Sequence, residues 1–295
     1  MEVPVTFECE GEQLVGIFSE GKTDTAVLLV VGGPQYRAGS HRQFTLLCRY
    51  LAEAGIPSLR FDYRGMGDSS GVIHDFEDVQ QDIKAAVDQL FVCSPGLKQV
   101  VLWGLCDAAS ANLFYAYTDP RIKGVVLLNP WVRTVEGEAK AYLKHYYLSR
   151  LTDKEMWQKI LSGKFDFKGS FASLGSMVLK LLKPKSGSNN ANSASSSTAQ
   201  HSQLSGSLPE RMLQGLKNFN GQVLLILSGD DLTADEFRDL VASSTDWKQT
   251  IANKNTTQHT LQEANHTFSS KAWRRQVEQW TADWVLTLNN EYKKN

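Results

Sequence analysis

Trp103-Gly104-Leu105-Cys106-Asp107-Ala108-Ala109 joins a run of apolar residues to a run with helical periodicity, and small residues flank its cysteine. A turn that passes directly from strand to helix strains the backbone of its central residue and brings neighbouring chains close. Such a turn requires little bulk at the flanking positions. Gly104 meets that requirement and Ala108 approximates it, giving G-x-C-x-A. A thiol placed here lies at a helix N-terminus, whose partial positive charge favours the thiolate, and a nearby imidazole favours it further. The bland alternative is a structural cysteine at the end of an apolar strand.

Working outward, residues 3–9 and 13–18 read as an opening antiparallel pair, and 26–31 as a buried strand ending in Gly32-Gly33. Helical spacing follows over 43–54, then a strand over 56–61, a helix over 76–91, a strand over 99–103, a helix over 108–117 and a strand over 122–128. This alternation predicts an α/β fold, a mostly parallel central sheet flanked by helices. After Pro130 the pattern changes to aromatic and basic helical segments. The core then resumes with a strand over 223–227, a helix over 235–243, a short strand over 257–262 and a closing helix over 272–288. The expected organisation is a core formed by 1–130 and 221–295, with a helical cap or lid inserted over 131–220. Within that insertion, 186–207 is dominated by Ser, Asn, Gly and Ala and is expected to be a flexible loop, because it has little apolar area to bury.

The strand–turn–helix placement of Cys106 matches the nucleophile elbow of the α/β-hydrolase fold, with cysteine in the serine position. Partners in that fold follow in the order nucleophile, acid, histidine. His266 lies between the last strand and the last helix, whereas His259 falls within the strand and reads as a packing residue. The acid belongs after the strand 223–227, where Asp230 and Asp231 both stand; Asp231, immediately before the next segment, is favoured, and the other is left to cap or solvate the loop. Acyl transfer also needs donors to a tetrahedral oxyanion. One is the Asp107 amide; Gln35 and Gly33 are the candidates for the second, since Pro34 has no amide hydrogen. Asp62-Tyr63-Arg64-Gly65-Met66-Gly67-Asp68-Ser69 reads as an architectural loop, in which Arg64 pairs with Asp62 or neighbouring carbonyls. Its G-x-G lacks the third glycine and the context of a dinucleotide fingerprint, so no cofactor is expected.

With 42% apolar residues and a net charge of −1, the 295-residue chain has the composition of a globular protein and no basic excess that would point to nucleic acid. Its apolar runs are far shorter than the roughly 20 residues of a membrane span, and its start lacks a signal-peptide pattern. A cytoplasmic location is therefore expected, with no transmembrane segment. Cys9, Cys48, Cys93 and Cys106 are scattered without a CxxC pair, so neither a metal site nor a disulfide framework is indicated.

The stretch Val31-Gly32-Gly33-Pro34-Gln35-Tyr36-Arg37-Ala38-Gly39-Ser40-His41-Arg42-Gln43-Phe44, the loop 60–69, Gly104-Leu105-Cys106-Asp107-Ala108-Ala109-Ser110 and residues 228–237 together resemble the exosortase A system-associated hydrolase 1 family. The resemblance covers nearly the whole chain. It implies an α/β-hydrolase of the serine aminopeptidase-like group, encoded beside bacterial exosortase and exopolysaccharide machinery. The expected activity is that of a Cys106-His266-Asp231 hydrolase acting through an acyl-enzyme on a small-molecule or glycan-linked ester or thioester, with acyl transfer as a variant. The competing expectation is a non-catalytic binding or scaffolding protein that retains the fold.

Overall fold

The structure is a computed structural model and describes residues 1–33, 35–133, 204–254 and 256–294. Strands β1 (Glu2–Cys9) and β2 (Glu12–Ser19) form an antiparallel pair, and β2 lies antiparallel to β4 (Ser58–Phe61). From there the sheet is parallel. β3 (Thr25–Val30), β5 (Gln99–Leu105), β6 (Ile122–Leu128), β7 (Gln222–Asp230) and β8 (Thr256–Asn265) complete an eight-stranded order β1-β2-β4-β3-β5-β6-β7-β8.

Alternation along the central strands divides the core into two faces. Leu28 and Val30 of β3 with Val100 and Leu102 of β5 join Ile83 and Leu90 of α2 (Gln80–Cys93) and Ala109 and Leu113 of α3 (Asp107–Tyr115). Val27, Leu29, Val101 and Trp103 turn the other way, against Leu47 and Leu51 of α1 (Gln43–Glu53) and Trp284, Val285 and Leu288 of α7 (Lys271–Lys294). Strands covered on both faces must be apolar throughout, which is why β3 and β5 read as unbroken runs rather than as alternation.

Among the described residues, three further helices lie between β6 and β8: α4 (Leu208–Asn218), α5 (Leu232–Ser243) and α6 (Thr245–Asn253). Compact units divide the chain into Met1–Thr134 with Leu204–Asn295, and Val135–Gln203. Most of the expected cap, including 186–203 of its Ser/Asn-rich loop, lies outside the described residues. Helix α4, at the C-terminal end of that expected insertion, packs on α3: Met212 and Leu216 are buried in the core cluster, and a Cβ at Gly215 would lie 2.1 Å from the Leu113 carbonyl oxygen. A Ser207–Glu210 capping box and Pro209 in the first turn start this helix.

Candidate active site

Cys106 stands between the end of β5 and the start of α3 with φ 64° and ψ −124°, a conformation that a residue with a Cβ adopts only when its surroundings enforce it. Here the enforcement is visible. The Cys106 amide donates to the Leu128 carbonyl at 2.9 Å, the Cys106 carbonyl accepts from the Trp131 amide at 3.2 Å, and Ser110 Oγ donates to the Trp131 carbonyl at 2.6 Å. The turn is thus fixed to the C-terminal end of β6. Gly104 is required because a Cβ there would lie 2.7 Å from both the Ala108 carbonyl carbon and Asn112 Nδ2.

Asp231 and His266 come from the ends of the next two strands. Asp231 caps α5 by accepting from the Thr233 and Ala234 amides at 3.3 and 3.1 Å, and the same carboxylate meets His266 Nδ1 at 2.9 Å. Asp230 is exposed at the end of β7, so the carboxylate that reaches the imidazole is also the one that caps the helix. Two functions that the sequence reading divided between neighbouring aspartates fall on one residue. His259 stacks on Trp280 with centroids 4.3 Å apart and planes at 10°, away from the thiol.

The His266 loop is held from beneath by a buried network that the sequence reading missed. Asn129, at a positive φ just after β6, donates through Nδ2 to Ser228 Oγ at 2.8 Å and to the His266 carbonyl at 3.0 Å. Its Oδ1 accepts from the Ser228 amide at 2.8 Å, and Ser228 Oγ donates to the Asn265 carbonyl at 2.9 Å. The only available signal was an Asn-Pro step after one strand and a serine ending the apolar run of the next.

Cys106 and His266 line one pocket of about 330 Å³, within the range of small-molecule sites. Its other described lining residues include Gly33, Gln35 and Asp107 and the apolar walls Phe44, Phe76 and Trp131. The direction of the Cys106 titration is opposite to expectation. Burial, followed by the Asp107 carboxylate, pushes the thiol up to about 12, and the Asp231 charge acts in the same sense. The amide of Asp107 and the charge of Arg133 act the other way and are outweighed. At rest Cys106 is therefore the neutral thiol, because desolvation of the thiolate exceeds what the helix terminus returns. Cys9 and Cys48 are likewise pushed up to about 11, chiefly by burial.

Two of the expected oxyanion donors, the Gly33 and Gln35 amides, are engaged elsewhere. The Gly33 amide donates to Asp107 Oδ2 at 2.8 Å and the Gln35 amide to the Gly33 carbonyl at 2.8 Å. Asp107 Oδ1 accepts from the Ala108 amide at 2.9 Å. Arg64 also departs from expectation: it reaches past the loop to Asp82 at 2.9 Å and to Glu10, while Asp62 takes Arg37. Asp82 is fully buried on α2, and the Arg64 guanidinium and backbone amide brought down to it compensate that charge.

A parallel sheet with a strained strand-to-helix turn, a carboxylate and a histidine delivered in that chain order defines an α/β-hydrolase. Solved structures agree on the fold. An esterase of Pyrococcus furiosus superposes with a TM-score of 0.64 at 14% identity, over 97% of this chain and 91% of that one. Est1E from Butyrivibrio proteoclasticus with ferulic acid bound gives 0.57 at 14%, over 96% and 98%. Alpha/beta hydrolase domain-containing protein 10 from mouse gives 0.58 at 13%, over 97% and 99%. No curated protein matches the chain. Residues 22–200 match the sequence model of the hydrolase family described as serine aminopeptidase, S33, and the chain belongs to that family.

Proposed function

We propose that this hydrolase cleaves acyl esters or thioesters through an acyl-enzyme on Cys106, with His266 as the base and Asp231 as its anchor. The reading rests on one observation above all: the His266 ring, tied by Nδ1 to Asp231, lines the same pocket as the thiol. Because Cys106 rests as a neutral thiol, His266 Nε2 acts as a general base rather than as the partner of a preformed thiolate. As the sulfur attacks the acyl carbon, its proton passes to His266, and the imidazolium formed is stabilised by Asp231. The tetrahedral oxyanion is received by the Asp107 amide and by the Gly33 or Gln35 amide once either is released from its resting partner. Collapse expels an alcohol or thiol, which takes the proton from His266. Water, or another hydroxyl in a transfer reaction, then attacks the acyl-enzyme by the reverse sequence.

The aromatic wall of Phe44, Phe76 and Trp131 suits an apolar or aromatic acyl group, and esterases stand among the similar folds. The resemblance to exosortase A system-associated hydrolases supports a cytoplasmic role beside bacterial exopolysaccharide machinery, with a small-molecule or glycan-linked acyl substrate. No helix of the described residues is long and apolar enough to cross a membrane. A second reading, a binding protein without turnover, draws on the engagement of the Gly33 and Gln35 amides. A panel of nitrophenyl esters and acyl thioesters separates the two: hydrolysis lost in Cys106→Ala and in His266→Ala supports the enzyme, and no turnover of any member supports the binder.

A further inference from the structure

Asp107 is an unusual neighbour for a nucleophile. It lines the same pocket as Cys106, its charge acts on the thiol, and among the described residues its carboxylate's hydrogen-bond partners are backbone amides rather than a cation: Gly33 at 2.8 Å and Ala108 at 2.9 Å. The chain is shaped around it. At Gly32 any Cβ would lie 2.2 Å from Asp107 Oδ1 and 2.7 Å from the Leu105 carbonyl oxygen, so the loop after β3 accommodates this carboxylate only because glycine stands there. The arginines of the adjoining loops are matched by other acids, Arg37 by Asp62 and Asp68, and Arg133 by Glu236 at 3.1 Å. Of the described residues lining the pocket, Asp107 is the one carboxylate, and the remainder apart from His266 carry no ionisable charge other than the thiol.

We infer that Asp107 is a charge filter for the Cys106 site, a fixed carboxylate that turns away substrates bearing a negative charge next to the reacting carbon and restricts the site to neutral or cationic acyl groups. The inference rests on the reading of Cys106 as the nucleophile and deepens it by assigning a substrate class. Charges a few ångströms apart in a partly desolvated pocket interact far more strongly than the same charges in water, and salt screens them less. The resting titration of the thiol is in keeping with this, since the Asp107 charge already acts against the thiolate, while burial and the Asp75 charge act against ionisation of Asp107 itself. The carboxylate also holds the amide of Gly33, which ties its charge to a loop that lines the pocket.

The filter can be read without any ester. Iodoacetamide and iodoacetate present the same reacting carbon with a neutral or an anionic neighbour. In each case the Cys106 sulfur forms the S–C bond as C–I breaks, iodide leaves and the thiol proton goes to solvent. The ratio of the two alkylation rates cancels the thiolate fraction and so isolates the charge discrimination. At pH 8.5, measured on the Cys106 peptide by mass spectrometry and referred to 2-mercaptoethanol, the wild-type preference for iodoacetamide should exceed the reference by at least about tenfold. Asp107→Asn, and independently Asp107→Ser, should bring it to within about threefold of the reference. Protection of Cys48, which is fully buried, certifies that a variant is folded. A wild-type ratio equal to the reference overturns the inference whatever the variants do, as does a folded Asp107→Asn that keeps the wild-type ratio. If the ratio behaves as expected while no ester or thioester is hydrolysed, the filter stands and the hydrolase reading falls. If esters are hydrolysed through Cys106 with no discrimination, the reverse holds.

Discussion

At the scale of the residue, the positions of Cys106, Asp231 and His266 were legible because the order of strand ends along the chain dictates which loops meet at one edge of the sheet. The charge state of Cys106 was not legible. A helix N-terminus can be located from sequence, but the desolvation that outweighs it, and the reach of the Asp107 charge, depend on packing. The consequence is measurable. Alkylation of Cys106 by iodoacetamide should keep rising with pH up to about 10, since a thiol pushed up to about 12 gains thiolate throughout that range; a plateau near pH 7 would reveal a preformed ion pair with His266. His266→Ala should reduce kcat/KM about 10²–10⁴-fold by removing the proton shuttle. Asp231→Asn should fall between that variant and wild type, since the imidazole remains but loses its anchor. His259→Ala, remote and stacked on Trp280, should stay within about threefold of wild type in the same assay.

At the scale of the element, β3 and β5 declared themselves through continuous apolar runs, and α1 and α2 through their periodicity. Helix α6 did not, because Trp247 and Thr250 are its buried residues, Ile251 is half-buried against the core, and the other six of its nine positions are polar or face solvent. Likewise β8 runs on to Asn265, beyond the short strand its polar sequence suggested, since its pairing with β7 carries it regardless of composition. Helix α5 starts at Leu232 rather than at 235 because the Asp231 cap fixes its origin. The braces between elements were not legible either, Arg64 with Asp82 being the clearest case. Removing Asp82 leaves the buried Arg64 guanidinium with the largely exposed Glu10 carboxylate in place of a buried partner, so Asp82→Ala should cost about 3–5 kcal/mol of stability in urea denaturation. A loss below about 1 kcal/mol would show that water reaches Arg64 and that the ion pair does not hold the loop to α2.

At the scale of the whole molecule, carboxylates paired with cations tie stability to pH on the acid side. For Asp119, burial acts to raise the pKa but is outweighed by Arg121 and Tyr115, and the result lies below its ordinary 3.8. Asp88, between Lys84 and Arg121, and Glu2, between Arg49 and Arg60, are lowered as well. A carboxyl depressed in the folded state stabilises it at pH values above the unfolded pKa, and that contribution disappears as pH falls through the folded one. The melting temperature should therefore be insensitive to these groups at pH 6 and decline below about pH 4; in Asp119→Asn the decline should be shallower, and an unchanged slope would remove Asp119 from the account. The proposed function comes down to one covalent bond. Wild-type protein mixed with a neutral nitrophenyl acyl ester, quenched in acid and digested, should carry the acyl mass on the peptide containing Cys106, with no adduct in Cys106→Ala and far slower formation in His266→Ala. Hydrolysis that persists in Cys106→Ala, or an acyl group found on another residue, would contradict the account.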